Sequence, residues 1–234
     1  MPKKRALILV KMDPPAGVDE VAWSKWYHTT HLETRLALPG FLYARRFVRI
    51  EEALKRAAAE PQTKYLALVD LTSIDVLKSD AYLQLREKEA SLPANSFEAI
   101  TRKAPNFARG NYEQIFPETG DYRPPNTRFL FVVGHDVPAG KHKEFNAWYN
   151  TEHIPGMLRC PGFVAARRFK LAKEFTPPGV APVPQYISVY DLDRENPFRG
   201  DIFEQEADTP WTTWVRSWFQ RRIRMLFRRI YPET

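Results

Sequence analysis

An α+β fold built from two tandem β-α-β-β-α-β units is what this sequence predicts, and three observations lead there. Residues 26–47 read WYHTTHLETRLALPGFLYARRF, and the pattern returns at 148–169 as WYNTEHIPGMLRCPGFVAARRF, offset by 122 positions without a gap. Internal repetition of that length sets the architecture before any local reading does. The final residues, Ile230-Tyr231-Pro232-Glu233-Thr234, repeat Ile115-Phe116-Pro117-Glu118-Thr119, so the end of the chain answers its middle. The 234 residues also leave room for two small units, each about 100 to 120 residues long.

The elements follow in order. Residues 5–12 (RALILVKM) form an apolar, β-rich run stopped by Asp13-Pro14-Pro15, which predicts a strand and a breaker. Residues 18–38 lack proline and glycine, and Trp23, Tyr27, His31 and Arg35 fall on one helical column. Pro39-Gly40 ends that helix. In the strand 41–50, Phe41, Tyr43, Arg45 and Phe47 share one face, and Leu42, Ala44, Arg46 and Val48 the other. A charged helical insertion is expected at 51–60, a buried strand at 65–71, helix at 74–90, a further turn after Pro93, and a strand at 107–116.

The linker 119–126 carries glycine and two prolines, and the order then begins again. Strand 128–133, helix 139–159, strand 163–171, a proline-rich loop, strand 186–192 and a short helix at 198–207 follow. The arginine-rich tail supplies the last helix, with Trp211, Trp214 and Trp218 on it, and the last strand. Each unit has the ferredoxin-like order. One such sheet covers a single face with helices and leaves the other bare. Residues 1–118 and 127–234 therefore bury their bare faces against each other, as an intramolecular, eight-stranded pseudo-dimeric α/β barrel.

Composition limits the function classes. An apolar share of 44% and an aromatic share of 13% suffice for a packed core. One cysteine, Cys160, permits no internal disulfide and suits a reducing, cytoplasmic setting. No apolar run approaches the roughly 20 residues of a membrane helix, and the basic amino end lacks a signal-peptide core. The net charge of +7 owes much to six arginines between Arg216 and Arg229. Because these belong to a structural helix and strand, neither a nucleic acid nor a membrane is the expected partner. A small-molecule substrate is, and the assembly of further copies into a homo-oligomer is left open.

The doubled signature, W-Y-x-T-x-H-[LI] followed by P-G-F and A-R-R-F, resembles the EthD-like branch of the dimeric α/β-barrel superfamily over essentially the whole chain. That superfamily includes cofactor-independent monooxygenases, isomerases, cyclases, dehydratases, stress-response proteins and haem-binding members. The resemblance implies a pocket in each unit between sheet and helices, faced by His31 and His153.

Histidine near neutrality gives or takes a proton without a cofactor, so His31 and His153 are the first catalytic candidates. The other role open to them is hydrogen bonding within the core. Tyr27 and Tyr149 lie four residues earlier on the same helical face, suited to orienting a substrate oxygen or to filling the core. Trp26 and Trp148 enclose a ligand or pack. Arg45 and Arg46, like Arg167 and Arg168, are adjacent on a strand, so one of each pair points to each face. A buried guanidinium needs a carboxylate or a bound anion, and Asp70 and Asp191 on neighbouring strands are plausible partners. Glu152, beside His153, adds a second acid–base group where the first unit has Thr30, and Asn150 stands where it has His28. With His135 and His142 also nearby, the second unit is the favoured active pocket. His28-x-x-His31 has metal-ligand spacing, but no third ligand completes a site, so no metal is expected. The leading reading is a cofactor-independent lyase, isomerase or cyclase acting on a small aromatic or polyketide-like compound, with an anionic group on it left open. Non-catalytic binding of apolar molecules and haem or monooxygenase-type chemistry are the alternatives.

Overall fold

The computed structural model describes residues 4–50, 63–118, 122–176 and 182–233. Eight strands are defined: β1 (Ala6–Met12), β2 (Phe41–Arg49), β3 (Tyr65–Leu71), β4 (Ala108–Phe116), β5 (Phe129–Asp136), β6 (Phe163–Leu171), β7 (Tyr186–Leu192) and β8 (Arg221–Tyr231). They close into a barrel in the order β1-β3-β2-β8-β5-β7-β6-β4, with every pairing antiparallel. Two seams, β2 against β8 and β4 against β6, join strands from opposite halves of the chain.

Period-two alternation sorts the strand residues into two sets. Leu7, Leu9, Phe47, Leu66, Leu68 and Tyr112 meet Leu130, Val132, Phe169, Ile187, Val189 and Phe227 inside the barrel. The outward set packs beneath helices in two separate layers, one per half. A bulge between Phe41 and Tyr43 breaks the alternation at the start of β2. It moves Phe41 into the helix-side layer with Ala44 and Val48, away from the face its spacing to Phe47 assigns.

The two long helices predicted from sequence are interrupted. Helix α1 (Glu20–Trp26) runs through a π-helical turn, Tyr27–Leu32, into α2 (Glu33–Leu36). Asp19 caps its start by accepting from the backbone N–H groups of Val21 and Ala22. Gly40, with φ 89°, turns the chain out after α2 as Pro39-Gly40 implies. The predicted helix 74–90 is a 3₁₀ turn, Ile74–Lys78, then α3 (Asp80–Ala90), separated by extended Ser79, which caps α3. Ser96 caps the short α4 (Phe97–Thr101) three residues beyond Pro93.

In the second half, α5 (His142–Trp148), a π-helical turn at Tyr149–His153 and α6 (Ile154–Arg159) repeat that interruption. Helices α7 (Asp201–Ala207) and α8 (Pro210–Arg216) follow. Trp211 and Trp214 lie on α8, whereas Trp218 falls past its end, because the helix stops at Arg216. The expected insertion at 51–60 lies outside the described residues. No helix among the described residues is long and apolar enough to cross a membrane.

Candidate functional site

The arginine pairs divide as strand geometry requires. Arg45 and Arg167 point into the barrel, where both are almost wholly buried and carboxylates hold them. The partners are those expected, but exchanged. Arg45 donates to Asp191 at 2.5 Å and Arg167 donates to Asp70, each reaching across the barrel to the opposite half. The local register sets Tyr43 opposite Asp70 and Ala165 opposite Asp191, two residues short of each arginine, so the long side chains cross instead. Tyr122 donates to Asp191 at 2.6 Å and lays its ring 3.6 Å from the Arg167 guanidinium. These arginines are thus in the barrel interior, not beside the histidines.

Arg46 and Arg168 point outward, under the helices. Arg46 lies 4.5, 4.4 and 4.2 Å from the rings of Trp23, Tyr27 and Tyr65, and donates to His28 Nε2 at 3.2 Å. Burial, with Arg46 beside it, lowers the His28 pKa to about 4 and keeps it an acceptor. His28 therefore turns away from His31, and the two do not form a ligand pair.

His31 sits between aromatic rings and a carboxylate. Its ring centroid is 4.6 Å from Tyr27 and 5.2 Å from Trp26. Its Nδ1 lies 2.7 Å from Glu98 Oε2, contributed by α4. Burial lowers the His31 pKa to about 4, Arg35 adds to the shift, and Glu98 opposes it. Burial alone would raise the Glu98 pKa, but the His31 hydrogen bond, Arg35 and Arg102 pull it below the usual carboxylate range. At neutral pH the pair is therefore a neutral imidazole whose Nδ1–H donates to an ionised carboxylate. That leaves Nε2 with its lone pair, the arrangement of a base oriented by an acid.

Behind the pair, Arg35 reaches Glu89 at 2.7 Å and Glu98 at 3.8 Å, and Arg86 and Arg102 stand within 4 Å of the same carboxylates. His31, Glu89 and Glu98 each offer a ligand atom within 4.8 Å of the others, a spacing that suits a cation. The three guanidiniums already supply the positive charge there, and a metal ion would sit against Arg35.

His31, Arg35 and Glu98 form a wall between two voids. One, of about 50 Å³, is lined by Ile8, Met12, Tyr27 and Phe107, with Arg102 and Arg109 at its polar side. The other, of about 190 Å³, is lined by Trp26, Leu85, Leu92 and Phe97. An engineered apolar cavity of about 150 Å³ holds one benzene ring, so this is space for a single-ring compound.

The second half departs from this pattern. His153 stacks on Trp148 at 4.6 Å and meets the edge of Tyr149 at 5.1 Å. Its buried Nδ1 has no hydrogen-bond partner among the described residues. Burial lowers its pKa to about 3, with Arg216 next in effect. Glu152 accepts from Thr209 Oγ1 at 2.6 Å, which ties it to the cap of α8. Counted from the N-caps Ser96 and Thr209, the place of Glu98 is taken by Trp211. The space matching the first half's inner void is packed with aromatic rings, where His135 meets Phe219 at 4.4 Å and Tyr149 at 5.7 Å. Arg168 lies 4.2 Å from the Tyr149 ring and donates to Asn150 at 2.6 Å and to Asn146 at 2.9 Å.

Sequence reasoning missed Glu98, Glu89, Arg102 and Arg109. No local spacing announces them, because α4 meets the His31 helix only through the tertiary fold, 67 residues along the chain.

No protein-family model and no curated protein matches the sequence. Solved structures do match the fold. An anthrone oxidase-like protein superposes with a TM-score of 0.60 at 12% identity, over 98% of this chain and 92% of that one. A candidate monooxygenase from Fusobacterium nucleatum gives 0.57 at 9% identity, over 98% and 94%. A chlorite dismutase variant from Candidatus Nitrospira defluvii, in complex with cyanide, gives 0.52 at 8% identity, over 97% and 92%. At these identities what is shared is the eight-stranded α+β barrel. That fold hosts enzymes of several chemistries, so the site must decide the function.

Proposed function

We propose that this protein is a cofactor-independent acid–base enzyme whose working site lies in the first half, at His31. The observation that carries this is the His31–Glu98 contact at 2.7 Å, facing voids lined by apolar side chains and arginines. His31 Nε2 takes a proton from the carbon next to a carbonyl. The electron pair moves onto the carbonyl oxygen, and Arg35, which lines the larger void with His31, stabilises the enolate. Glu98 stabilises the imidazolium that forms, and the proton is returned at another position or a leaving group departs. The larger void's Trp26, Leu92 and Phe97, with Arg35 and Lys88 in the same lining, favour a single-ring substrate bearing a carboxylate or phenolate. Isomerase and lyase chemistry both fit this scheme.

Within this reading the chain is two tandem repeats, residues 1–118 and 127–234, in the EthD-like branch of the dimeric α/β barrels. The doubled motif and the reciprocal Arg45–Asp191 and Arg167–Asp70 pairs support it. The second repeat, with Trp211 in place of the carboxylate, serves mainly as scaffold.

The oxidase-like and monooxygenase-like neighbours favour one second reading, in which the carbanion or phenolate made at His31 reacts with dioxygen. Haem fits less well, since the voids beside His31 measure about 50 and 190 Å³, below the 300–1,000 Å³ usual for cofactor sites. The test is turnover of single-ring keto acids, lactones and phenols by the wild type and by His31→Ala and His153→Ala, with dissolved oxygen followed in parallel. Loss of about 10²-fold or more in His31→Ala alone is expected. Equal activity in both variants and the wild type sinks the assignment, and stoichiometric oxygen uptake selects the second reading.

A further inference from the structure

A groove of about 420 Å³ at the β4–β6 seam, where Lys4, Ile115 and Glu118 meet the second half, has no part in the His31 chemistry. Its volume lies within the usual range of small-molecule sites. Lys4, Lys143 and Lys170 line it with His142, and among the described residues Glu118 is the one carboxylate in its lining. Its wall includes Asn146 and Asn150, and behind these lies Arg168, which is 0% exposed. Among the described residues no carboxylate pairs with Arg168. Its neighbours are the two asparagine oxygens and the rings of Phe145, Tyr149 and Tyr186. Burial accordingly lowers its pKa to about 10.

The Arg168 contacts orient both amides. A guanidinium only donates, so each asparagine must turn its oxygen inward. Asn146 Nδ2 then donates to the His142 carbonyl at 2.9 Å, and Asn150 offers its Nδ2 to the groove. The buried positive charge thus acts through oriented amide dipoles on a groove already lined by three ammonium groups.

The first half shows that the fold does not require this charge. At the 122-residue offset, Glu20, Val21 and Val48 stand where the groove has His142, Lys143 and Lys170. Glu20 is engaged by Lys64 at 2.7 Å and by the Tyr65 hydroxyl. At that place the first half has a Glu20–Lys64 ion pair where the groove has a cluster of ammonium groups.

We propose that this groove is a binding site for a phosphorylated small molecule, whose phosphate lies among Lys143, Lys170, Lys4 and the Asn150 amide. An oxyanion there supplies the counter-charge that Arg168 lacks within the protein. The test is calorimetric titration of the full chain with pyrophosphate, beside citrate as a carboxylate control. Saturable one-to-one binding of pyrophosphate is expected, weakening with added salt as exposed ammonium groups are screened. The Lys143→Gln/Lys170→Gln variant, checked for an unchanged circular dichroism spectrum, should bind at least about tenfold more weakly. Arg102→Gln, in the first-half site, should leave pyrophosphate affinity unchanged. Equal affinity in the double-lysine variant, loss of binding in Arg102→Gln, binding of citrate but not pyrophosphate, or no saturable binding would each overturn the proposal.

Discussion

His31 is held neutral far below the pH at which a free imidazole titrates, and that makes its role readable in a pH profile. A base must be unprotonated, so kcat/KM, which reports the free enzyme, should stay level from neutrality and fall only as pH drops through about 4. An anionic substrate beside Arg35 offsets its charge and raises the imidazole pKa in the complex. The acid limb of kcat should therefore lie above that of kcat/KM, and coincident limbs near 6.5 would contradict the geometry. Glu98→Gln removes the carboxylate that holds the His31 pKa up, so it should shift the kcat/KM limb downward and cost about tenfold or more in turnover. Stability carries the same signature. His28 and His31 are lowered to about 4 and His153 to about 3, so between pH 6.5 and 4 the unfolded chain binds protons that the native state refuses. Stability is full above about 6.5 and declines as pH falls through that window. Melts at pH 7, 6 and 5 should show a falling Tm, by about 2–4 °C per kcal/mol lost in a chain of this size. Of this site the sequence displayed His31, Tyr27, Trp26 and the Arg35 column, all within one helix. Glu98 was illegible because a carboxylate that pairs across the fold looks, in sequence, like any surface glutamate.

The helices carrying the histidines were legible as helices but not as interrupted ones. A π-helical turn adds one residue without changing the apolar spacing enough to betray itself, and such turns are frequent at functional sites. Both interruptions begin at the motif tyrosine, Tyr27–Leu32 and Tyr149–His153, so the extra residue belongs to the conformation of the motif itself. Its consequence for His31 is rotational. Removing one residue rotates everything on one side of the turn by about 100° relative to the other. Deleting exposed Thr30 should restore regular α-helix, swing His31 away from Glu98 and abolish turnover, while the far-ultraviolet circular dichroism spectrum keeps its helical signal. Retained turnover in that variant would show that the π-turn does not position the base. Strand assignments fared better, and 65–71, 163–171 and 186–192 match β3, β6 and β7 at both ends. A buried strand with apolar residues on both faces is bounded by sharp composition changes. The bulge in β2 and the Ser79 break have no comparable mark, because each arises from how a segment meets its neighbours.

At the scale of the whole barrel, the halves are joined by two seams, a common apolar interior and two crossed ion pairs. Asp191 accepts from Arg45 and Tyr122, with Thr127 at 3.4 Å, so Asp191→Asn leaves Arg45 charged, buried and uncompensated. Breaking one side of a buried pair typically costs 3–5 kcal/mol. Chemical denaturation should register a loss of about that size, and the double variant Arg45→Met/Asp191→Leu should recover most of it. The crossing also governs what either half does alone. In a fragment of residues 1–118, Leu7, Leu9, Phe47, Leu66, Leu68 and Tyr112 lose the surface that covers them. Strands β2 and β4 become open edges, and Arg45 and Asp70 lose the ion-pair partners that the other half supplies. A second copy restores every missing class of contact. Its β4 pairs with the open β2, its apolar face covers the bare one, and its Asp70 meets Arg45 while its Arg45 meets Asp70. Had each arginine paired with the aspartate of its own half, the fragment would keep its charges satisfied and have less reason to associate. The fragment is therefore predicted to form a homodimer, seen in size-exclusion chromatography with light scattering as twice the fragment mass. Introducing Asp70→Asn should weaken that dimer, because both crossed pairs are lost at once. A fragment that melts cooperatively as a monomer would show that one sheet and its helices suffice, and that the crossed pairs do not hold the barrel together.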